Sequence, residues 1–355
     1  MDYSVGVDIG GTKINFALLK NWKKEKTKKV MTPQTKEEIV AVVEKNIRIL
    51  TEDVSESEIV GVGIGVPSLL DKKKEKILAP PNLKTLTGFS LAKFIEKDIG
   101  IKTVLENDSN CFALAEAMIG AGKGCSIIVG ITVGTGIGGG IVFKRGNEYE
   151  IYEGAFGRAG EIGHMVFDYR GFDCNCGSKG CFEGYASEKF FKRRTSLSSI
   201  EIEKKAKKGS KKAKYLYREF ARNLADGLAS VINILDPEVI VIGGGFSKAS
   251  SLILKPLRKE LEERVDWWYY PEAPTLTAWK PAEYEAGDHL YWERNPYYWA
   301  VDDQGNQLPY VDQVNVDYVS DKEVFKLKLS NGNSDMQIRP GLLTIEDVSL
   351  LKRKE

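Results

Sequence analysis

The sequence predicts an α/β protein, and three observations point to this class. Short runs of β-branched residues alternate with segments whose apolar residues recur at helical spacing. Three glycine turns follow three of the predicted strands, which is where α/β folds usually bind their ligands. The 355 residues are 42% hydrophobic and 28% charged, as in ordinary soluble globular proteins, and the length suggests two to three domains.

The first predicted element is a strand over residues 3–10, which stops at Gly10, Gly11 and Thr12 before an apolar run resumes. This pattern is typical of a β-hairpin with a glycine turn. The lysine-rich stretch at 20–29 and the lysines at 72–74 and 76 are charge runs, so we predict solvated turns there.

The remaining elements continue this alternation up to residue 265. Residues 36–51 carry apolar side chains at helical spacing and precede a strand at 59–66. The further predicted elements are helix 91–98, strand 102–106, helix 109–120, strands 126–133 and 141–144, a loop region at 145–185, helical segments to about 234, strand 239–245 and helix 251–265.

Charge and hydropathy exclude several classes of protein. The 51 basic and 50 acidic side chains give a net charge of +1, which disfavours a nucleic-acid binder, and we interpret the lysines at 204–214 as an exposed helix face. No run of about 18 apolar residues predicts a membrane span. Five clustered cysteines are too few for a disulfide framework, and the chain starts directly with a strand, so we predict a cytoplasmic location without a signal peptide.

The three glycine turns are DIGGTK at 8–13, GTGIGGG at 134–140 and GGG at 243–245. Glycine lets the backbone approach a ligand and point its N–H groups at an anion, so phosphate is the natural ligand, although each turn alone could be a simple tight turn. The Walker spacing is absent, and the GxGxxG at 134–139 leads into a strand, unlike the dinucleotide-binding sequence. We therefore expect phosphates to be held between two hairpins.

A second group of four residues has the chemistry of a metal site, and all four lie within one glycine-rich stretch of 18 residues. The candidate ligands are His164, Cys174, Cys176 and Cys181. Three thiolates and one imidazole complete the tetrahedral coordination of Zn²⁺, so the predicted role is structural. The alternative is four unconnected residues. We interpret Cys111 and Cys125 as buried small hydrophobic residues, and the isolated His289 as a surface or core residue.

A third group consists of carboxylates and an amide near these turns: Glu106, Asn107 and Asp108 end a predicted strand, and Glu161 and Glu183 flank the metal loop. A carboxylate beside a phosphate site can accept the proton of an attacking hydroxyl, which contributes about 10² to 10⁴ in rate. Alternatively, Asp108 is the N-cap of the following helix. Such side chains also bind sugar hydroxyls. The site chemistry therefore predicts phosphoryl transfer to a hydroxyl compound.

Composition changes abruptly near residue 266. The last 90 residues hold five of six Trp, eight of 15 Tyr, only four of 35 Gly and no Cys. They carry 16 acidic and nine basic residues, a charge of −7, which leaves about +8 on residues 1–265. Two differently composed polypeptides are therefore predicted to meet there.

Several stretches of residues 1–265 together resemble one family. They are GVDIGGTK (6–13), GIGVPS (63–68), APPNL (79–83), LENDSNCFALAEA (105–117), ITVGTGIGGGIV (131–142), GAFGRAGEIGHM (154–165), CNCGSKGCFEGYAS (174–187) and IVIGGGFS (240–247). They are similar to the ROK sugar kinases, such as bacterial glucokinases and N-acetylhexosamine kinases. The resemblance implies an actin-like ATPase (ribonuclease H-like) fold, with α/β domains at 1–108 and 109–265 on either side of a cleft.

The resemblance also implies roles for individual residues. Asp108 is expected to be the general base that deprotonates the sugar hydroxyl, usually the one on C6. The expected sugar-binding residues are Asn82, Asn107, Asp108, Glu161, His164 and Glu183. His164 is expected to bind zinc through one ring nitrogen and the sugar through the other. Asp8 is expected to position Mg²⁺. The expected ATP-binding residues are Gly10, Gly11, Thr12, Lys13, Gly134, Thr135, Gly136, Gly243, Gly244 and Gly245.

The stretch after residue 265 departs from this family. PTLTAWKP (274–281), the aromatic-rich stretch 287–314, LKLSNGNSDMQ (327–337) and TIEDVSLLK (344–352) resemble part of a family 5 extracellular solute-binding protein. Ninety residues cannot supply the two lobes of such a protein. Our hypothesis is a fusion, a recombination product or an artificial joining, in which the final strand and helix of the kinase are missing. The alternative is a genuine appended module.

The leading functional prediction is thus an ATP-dependent sugar kinase, with a small-molecule sugar as substrate and no nucleic-acid or membrane partner. Dimers are common in the family that the chain resembles, so a homodimer is possible, but the sequence itself does not give the oligomeric state. One alternative is a catalytically impaired chimera that still binds sugar and zinc. Another is a sugar-responsive regulator without its DNA-binding domain. The motifs do not distinguish glucose from N-acetylglucosamine, N-acetylmannosamine or fructose.

Overall fold

The computed structural model describes residues 2–265, 279–285, 289–294 and 313–317, together with residues 304, 324, 327 and 331. The chain divides into two compact units, Met1–Leu261 and Glu262–Glu355. None of the helices among the described residues is long and apolar enough to cross a membrane.

A five-stranded sheet forms the N-terminal half of the first unit. Its strands are β1 (Tyr3–Ile9), β2 (Lys13–Lys20), β3 (Lys23–Met31), β4 (Ile59–Val66) and β5 (Thr103–Asn107), in the order β3-β2-β1-β4-β5. The first three strands form an antiparallel meander, whereas β4 and β5 run parallel to β1. Helices α1 (Lys36–Thr51) and α2 (Leu91–Ile99) contact each other, and their apolar faces join the sheet in one buried core.

Strand β3 occupies the lysine-rich stretch for which the sequence predicted a solvated turn, and that prediction is wrong. The turn is confined to Asn21 and Trp22, whose φ angles of 47° and 66° suit a two-residue hairpin. Strand β3 lies at the edge of the sheet, and most of its side chains are exposed. Lysines on an edge strand discourage pairing with other molecules, so an edge strand can have the composition of a loop.

A four-stranded sheet forms the second half of this unit. Its strands are β6 (Ile127–Val133), β7 (Ile137–Arg145), β8 (Glu148–Ile151) and β9 (Val239–Gly243), in the order β8-β7-β6-β9. Helix α3 (Asp108–Ile119) follows β5 directly and packs on β6 and β7. A Cβ atom at Gly130 or Gly140 would lie 2.7 or 2.8 Å from Ala113, so these glycines permit the close approach of helix and sheet.

Further helices cover the other part of the second sheet. They are α4 (Glu188–Arg194), α5 (Ser199–Lys207), α6 (Lys211–Leu235) and α7 (Ser250–Val265). Their core contains a cluster of aromatic rings, Phe190, Phe191, Tyr217, Phe220 and Phe246. The lysines at 204–214 are exposed on α5 and α6, while the intervening Ala206 and Ala213 are buried. Short 3₁₀ helices lie at Glu56–Glu58, Lys84–Leu86, Ile162–His164, Phe182–Gly184 and Gly245–Ala249.

The second unit contains a three-stranded antiparallel sheet. Its strands are β10 (Trp279–Glu285), β11 (His289–Arg294) and β12 (Gln313–Asp317), with β11 in the centre. His289, expected to be isolated in sequence, lies on β11 between Glu285 and Asp317 in the strand register. Most of the stretches that resemble a solute-binding protein lie outside the described residues.

Candidate functional site

The turn between β1 and β2 presents its backbone to solvent. The Gly10 amide donates to the Lys13 carbonyl at 3.0 Å, and the Thr32 hydroxyl donates to the Gly10 carbonyl at 2.7 Å. A Cβ atom at Gly11 would lie 2.7 Å from the Cβ atom of Asn82. The predicted sugar ligand Asn82 therefore lies against the first glycine turn.

Asp8 lies near the end of β1, immediately before this turn, and is exposed. It pairs with Asn15 on β2, whose side-chain amide donates to Asp8 Oδ2 at 2.9 Å. Asp8 is also close enough to Asp108 to influence its pKa. A fixed carboxylate at this position offers the kind of oxygen ligand that Mg²⁺ prefers.

The junction of β5 and α3 holds Asn107 and Asp108. The N-cap of α3 is Asn107, whose Oδ1 accepts hydrogen bonds from the amides of Ser109 and Asn110 at 2.9 and 3.1 Å. The alternative interpretation of Asp108 as the cap is therefore wrong. Asp108 is the first residue of the helix, and its Oδ1 accepts a hydrogen bond from the Ser109 amide at 2.8 Å. Among the described residues, the hydrogen bonds that reach this carboxylate go to Oδ1.

The electrostatic surroundings of Asp108 favour its protonated form. Burial raises the pKa of Asp108 above that of an ordinary aspartate. The Ser109 amide opposes this rise, whereas the nearby Asp8 carboxylate adds to it. An aspartate with these surroundings is a stronger base once ionised, which suits it to accept a proton from a hydroxyl group.

The second glycine turn comprises residues 134–136, between β6 and β7. The Gly134 amide donates to the Gly136 carbonyl at 3.0 Å. A Cβ atom at Gly136 would clash with Glu183 Oε2, so that carboxylate lies directly against the turn. The remaining glycines of the predicted turn, 138–140, belong instead to β7, where they allow close packing.

The third glycine turn ends β9 and lies next to the second. Gly244 has a φ of 84°, and a Cβ atom there would lie 2.5 Å from the carbonyl oxygen of Val133 at the end of β6. Gly243 packs against the ring of Phe112. Beside this turn is an apolar cavity of about 410 Å³, open to solvent, lined in part by Val133, Ile242 and Phe246.

The four predicted metal ligands come together in space. Their ligand atoms, from His164, Cys174, Cys176 and Cys181, all lie within 4.8 Å of one another. The Cys174 Sγ to His164 Nδ1 and the Cys176 Sγ to Cys181 Sγ distances are both 3.6 Å. Ligands of a tetrahedral zinc ion are separated by about 3.5–3.8 Å, given Zn–S and Zn–N bonds of about 2.3 and 2.0 Å. The donor set and its spacing therefore fit zinc.

His164 links this cluster to a carboxylate. Its Nδ1 faces Cys174, whereas its Nε2 lies 4.0 Å from Glu161 Oε2. Burial raises the pKa of Glu161; the His164 ring counteracts this effect, and two neighbouring carboxylates, of Asp108 and Glu183, add to it. The predicted sugar-binding groups Asp108, Glu161, His164 and Glu183 are thus close enough to interact electrostatically.

Glu183 is buried and has several partners. Its Oε1 lies 3.3 Å from Cys174 Sγ and accepts a hydrogen bond from the Lys189 ammonium group. Burial alone would raise the pKa of Glu183, but Lys189, together with Cys174 and His164, outweighs this effect and the pKa is lowered. Glu183 is therefore held as a carboxylate between the metal cluster and the second glycine turn.

A polar cavity of about 420 Å³, open to solvent, lies beside the β5–α3 junction. Asn107 and Glu161 line it, and so do Lys74, Glu106 and Glu153. Sequence reasoning missed Lys189 and Glu153. It correctly placed Lys74 in a turn, but the side chain of Lys74 is partly buried and paired with carboxylates, not solvated as predicted. Neither lysine stands out in the sequence, because each acquires its partner only through folding.

Comparison with known proteins agrees with these features. The ROK family profile matches residues 4–279, and that of the bacterial extracellular solute-binding proteins, family 5 Middle, matches residues 205–354. The chain is 34% identical over 283 residues to a glucokinase of Streptomyces coelicolor, covering 73% of this chain and 87% of the relative. It is 30% identical over 287 residues to a putative xylose repressor of Caldicellulosiruptor sp., covering 74% of this chain and 70% of the relative.

Among solved structures, a ROK family glucokinase from Streptomyces griseus in complex with glucose and AMPPNP has a TM-score of 0.65 and 33% identity. The similarity covers 74% of this chain and 89% of that structure. The paired sheets and glycine turns thus define an α/β protein of the actin-like ATPase fold, as predicted. The chain belongs to the ROK family.

Proposed function

We propose that this protein transfers the γ-phosphoryl group of ATP to a hydroxyl group of a hexose, with Asp108 as the general base. The observation that carries the proposal is the Asp108 carboxylate, which is anchored through one oxygen, has a raised pKa and lies near both Asp8 and Glu161. The predicted enzyme class, a sugar kinase, is confirmed by the glucokinase relatives. The roles of individual residues are part of the proposal.

The sugar is bound by carboxylates and one imidazole. Glu161 and Glu183 accept hydrogen bonds from its hydroxyl groups, and His164 donates from Nε2. Asn107 contributes through its amide Nδ2, because its Oδ1 is already occupied by two backbone amides. Asn82 lies beside the first glycine turn and contacts the sugar from the nucleotide side. The proposed acceptor is the C6 hydroxyl of glucose or an N-acetylhexosamine.

ATP is bound by the three glycine turns. The backbone amides of residues 10–13 and 134–136 hold the phosphates, and residues 243–245 face the adenosine beside the apolar cavity. The AMPPNP in the related Streptomyces griseus structure supports this part of the proposal. Asp8 would hold Mg²⁺, which neutralises charge on the transferring phosphate when bound.

The cluster of His164 and three cysteines would hold a structural zinc ion. These four side chains would fill all the coordination positions of a tetrahedral ion, which would leave no place for a reacting water molecule. The proposed role of the cluster is to orient His164. Ligation through Nδ1 leaves Nε2 carrying the proton, so the imidazole presents a hydrogen-bond donor to the sugar.

The test is a hexose panel with ATP and Mg²⁺, in which ADP release is measured by a coupled assay. We expect turnover with at least one hexose, and Asp108→Ala should lower kcat by about 10² to 10⁴. Calorimetry should show that the variant still binds the sugar. Asp53→Ala is the matched control, because Asp53 is exposed and forms a surface ion pair with Lys26. Full activity of Asp108→Ala would contradict the assignment of the base.

A second candidate is a sugar-binding ROK protein without kinase activity. The overlap of the two family profiles at 205–279 favours it, because a chimera that lacks the final elements of the kinase would have an impaired nucleotide site. The putative xylose repressor among the relatives supports a related possibility, a sugar-responsive regulator without kinase activity. Sugar binding by calorimetry without ADP release from any hexose would favour this candidate.

A further inference from the structure

A hairpin at residues 68–79 carries Lys74 at its tip. Leu70 pairs with Ile77, and the Leu78 amide donates to the Leu69 carbonyl at 2.8 Å. The side chain of Asp71 closes the tip, because its Oδ1 accepts hydrogen bonds from the amides of residues 75 and 76. Lys74 has a φ of 55°, a conformation that residues with a Cβ atom rarely adopt. The hairpin therefore presents Lys74 in a specific, disfavoured backbone conformation.

The ammonium group of Lys74 forms ion pairs with the carboxylates of Glu106 and Glu153. The Lys74, Glu106 and Glu153 side chains are 32%, 16% and 37% exposed, so the ion pair with Glu106 is the better shielded from water. Burial opposes the charge on Lys74, but hydrogen bonds to the two carboxylates outweigh it and raise the pKa of Lys74. Lys74 is therefore a charged bridge between two acidic groups.

Glu106 connects this bridge to the β5–α3 junction, where it contacts the residues on either side of Asp108 and Ser109. Its Oε1 accepts hydrogen bonds from the Asn107 amide at 2.8 Å and from Asn110 Nδ2 at 3.0 Å, while its Oε2 faces Lys74. The base of the hairpin is attached at the same place, because the Ser68 carbonyl accepts a hydrogen bond from Asn107 Nδ2 at 3.3 Å. The hairpin thus contacts the β5–α3 junction at its base and at its tip.

Glu153 belongs to the other side of the cavity. It follows β8, and its carbonyl accepts a hydrogen bond from the Ala159 amide at 3.1 Å, which closes the loop at 153–159. This loop ends two residues before Glu161, a proposed sugar ligand. Lys74, Glu106 and Glu153 all line the polar cavity that Asn107 and Glu161 also line. The ion pairs therefore join the two sides of the cavity.

We propose that Lys74 is a positioning residue of the sugar site, which holds the β5–α3 junction and the 153–161 loop at the spacing that sugar binding requires. The inference rests on the proposed function, in that the cavity is taken as part of the sugar site. Lys74 acts through Glu106 and Glu153 and not by contact with the transferring phosphate. Its loss should weaken sugar binding more than ATP binding or the chemical step.

The test compares Lys74→Met with Lys73→Met in the full-length protein. Methionine keeps the length of the side chain but removes its charge, and Lys73 is an exposed neighbour in the same turn. We expect Lys74→Met to raise the sugar Kd measured by calorimetry, and the KM for sugar, by about tenfold or more, as displaced binding groups commonly do. The KM for ATP should change less than about threefold, well under the tenfold change expected for the sugar. Lys73→Met should behave as wild type.

A double-mutant cycle with Glu153→Gln tests the bridge itself. If Lys74 acts through Glu153, the Lys74→Met/Glu153→Gln double variant should bind sugar no worse than Lys74→Met alone. Lys74→Arg should recover part of the affinity, because it restores the charge in a different geometry. If Lys74→Met does not fold, Glu153→Gln alone should still raise the sugar Kd.

Three results would overturn the inference: an unchanged sugar Kd in Lys74→Met, an equal rise in the KM values of sugar and ATP, or fully additive effects in the cycle. Different results would contradict the proposed function. A wild-type protein that binds a hexose but releases no ADP contradicts the kinase proposal, while the calorimetric comparison still decides the role of Lys74. A wild-type protein that binds none of the hexoses overturns both.

Discussion

Asp108, the proposed general base, lies in surroundings that disfavour its charged form. Its carboxylate is largely withdrawn from water and near the carboxylate of Asp8, and both effects favour the protonated form. At neutral pH the ionised group therefore costs folding free energy. Such costs are common at sites where a base must be kept reactive.

Asp108→Asn should consequently be more stable than the wild type at pH 7, by about 0.5 to 2 kcal/mol, the range of typical stabilising substitutions. Asparagine keeps the acceptor for the Ser109 amide but carries no charge. Because the folded-state pKa is raised, the cost is present above that pKa and disappears below the unfolded-state value of about 3.9. The stability gain, measured by urea unfolding, should therefore shrink as the pH falls from 7 towards 4.

The control for this experiment is Asp53→Asn, which removes an exposed carboxylate that pairs with Lys26 at 2.9 Å. Its effect on the free energy of unfolding should be at most about 1 kcal/mol, in the destabilising direction, as for other surface ion pairs. An Asp108→Asn variant less stable than wild type at pH 7 would show that its carboxylate is stabilising.

At the scale of elements, the 3₁₀ helix Phe182–Gly184 depends on a glycine in α6. Phe182 is completely buried, and a Cβ atom at Gly227 would collide with its ring. The same short helix carries Glu183, and Cys181 precedes it. The position of the metal loop and of a proposed sugar ligand is therefore determined partly by a residue 44 positions away in the sequence.

Gly227→Ala should destabilise the protein by about 1–3 kcal/mol through overpacking, although alanine is the better helix former. It should also weaken sugar binding, because Phe182 cannot move without Glu183. Ser230→Ala in the same helix is the control, since Ser230 is exposed. Urea unfolding and calorimetry measure the two effects, and a stabilised Gly227→Ala variant would contradict the packing argument.

The metal loop gives a second prediction at this scale. Cys176 is exposed, so its side chain has little packing to lose, and Cys176→Ala should destabilise the protein only through the metal. We expect about one zinc per chain in the wild type by elemental analysis, strongly reduced zinc in the variant, and a lower Tm for both the variant and chelator-treated wild type. Cys125→Ala should retain its zinc. A wild type purified without zinc, or a variant that keeps it, would contradict the assignment.

The elements also show what the sequence can predict. Strands such as β1 and β4 and helix α1 were predicted almost to their ends. The spacing of their apolar residues identifies each element, and glycine or cap residues in the sequence mark where it begins or ends. The metal ligands could be predicted because three of them lie within eight residues. Strand β3 was missed, since the lysines of an edge strand resemble those of a loop. The roles of Lys74, Glu153 and Lys189 were missed, because their partners lie on other segments of the chain.

At the scale of the whole molecule, the groups of the proposed sugar, zinc and nucleotide sites lie between Asp8 and Gly245. The ROK profile continues to residue 279, and the solute-binding profile begins at residue 205, so the two overlap. We propose that the kinase-like part consists of domains at 1–108 and 109–265, and that the segment from 266 has a separate origin. The abrupt change in charge and aromatic content near residue 266 supports this division.

This division predicts the behaviour of shortened chains. A protein of residues 1–265 should bind zinc and sugar with a Kd within about threefold of the full chain, a difference below 1 kcal/mol. Comparison with residues 1–279 tests whether the end of the region matched by the ROK profile contributes to ATP binding. Sugar and ATP affinities are measured by calorimetry on all three proteins. A large loss of sugar affinity in the 1–265 protein would show that the later segment supports the sugar site.

The contacts of Glu183 on two sides matter for any redesign of this protein. One of its oxygens lies against the second glycine turn, and the other lies 3.3 Å from Cys174 Sγ and accepts a hydrogen bond from Lys189. The proposed metal loop and the second glycine turn therefore contact the same side chain, so a change in one is expected to affect the other. Mutant libraries aimed at new sugars through residues 174–187 should be screened for nucleotide affinity at the same time.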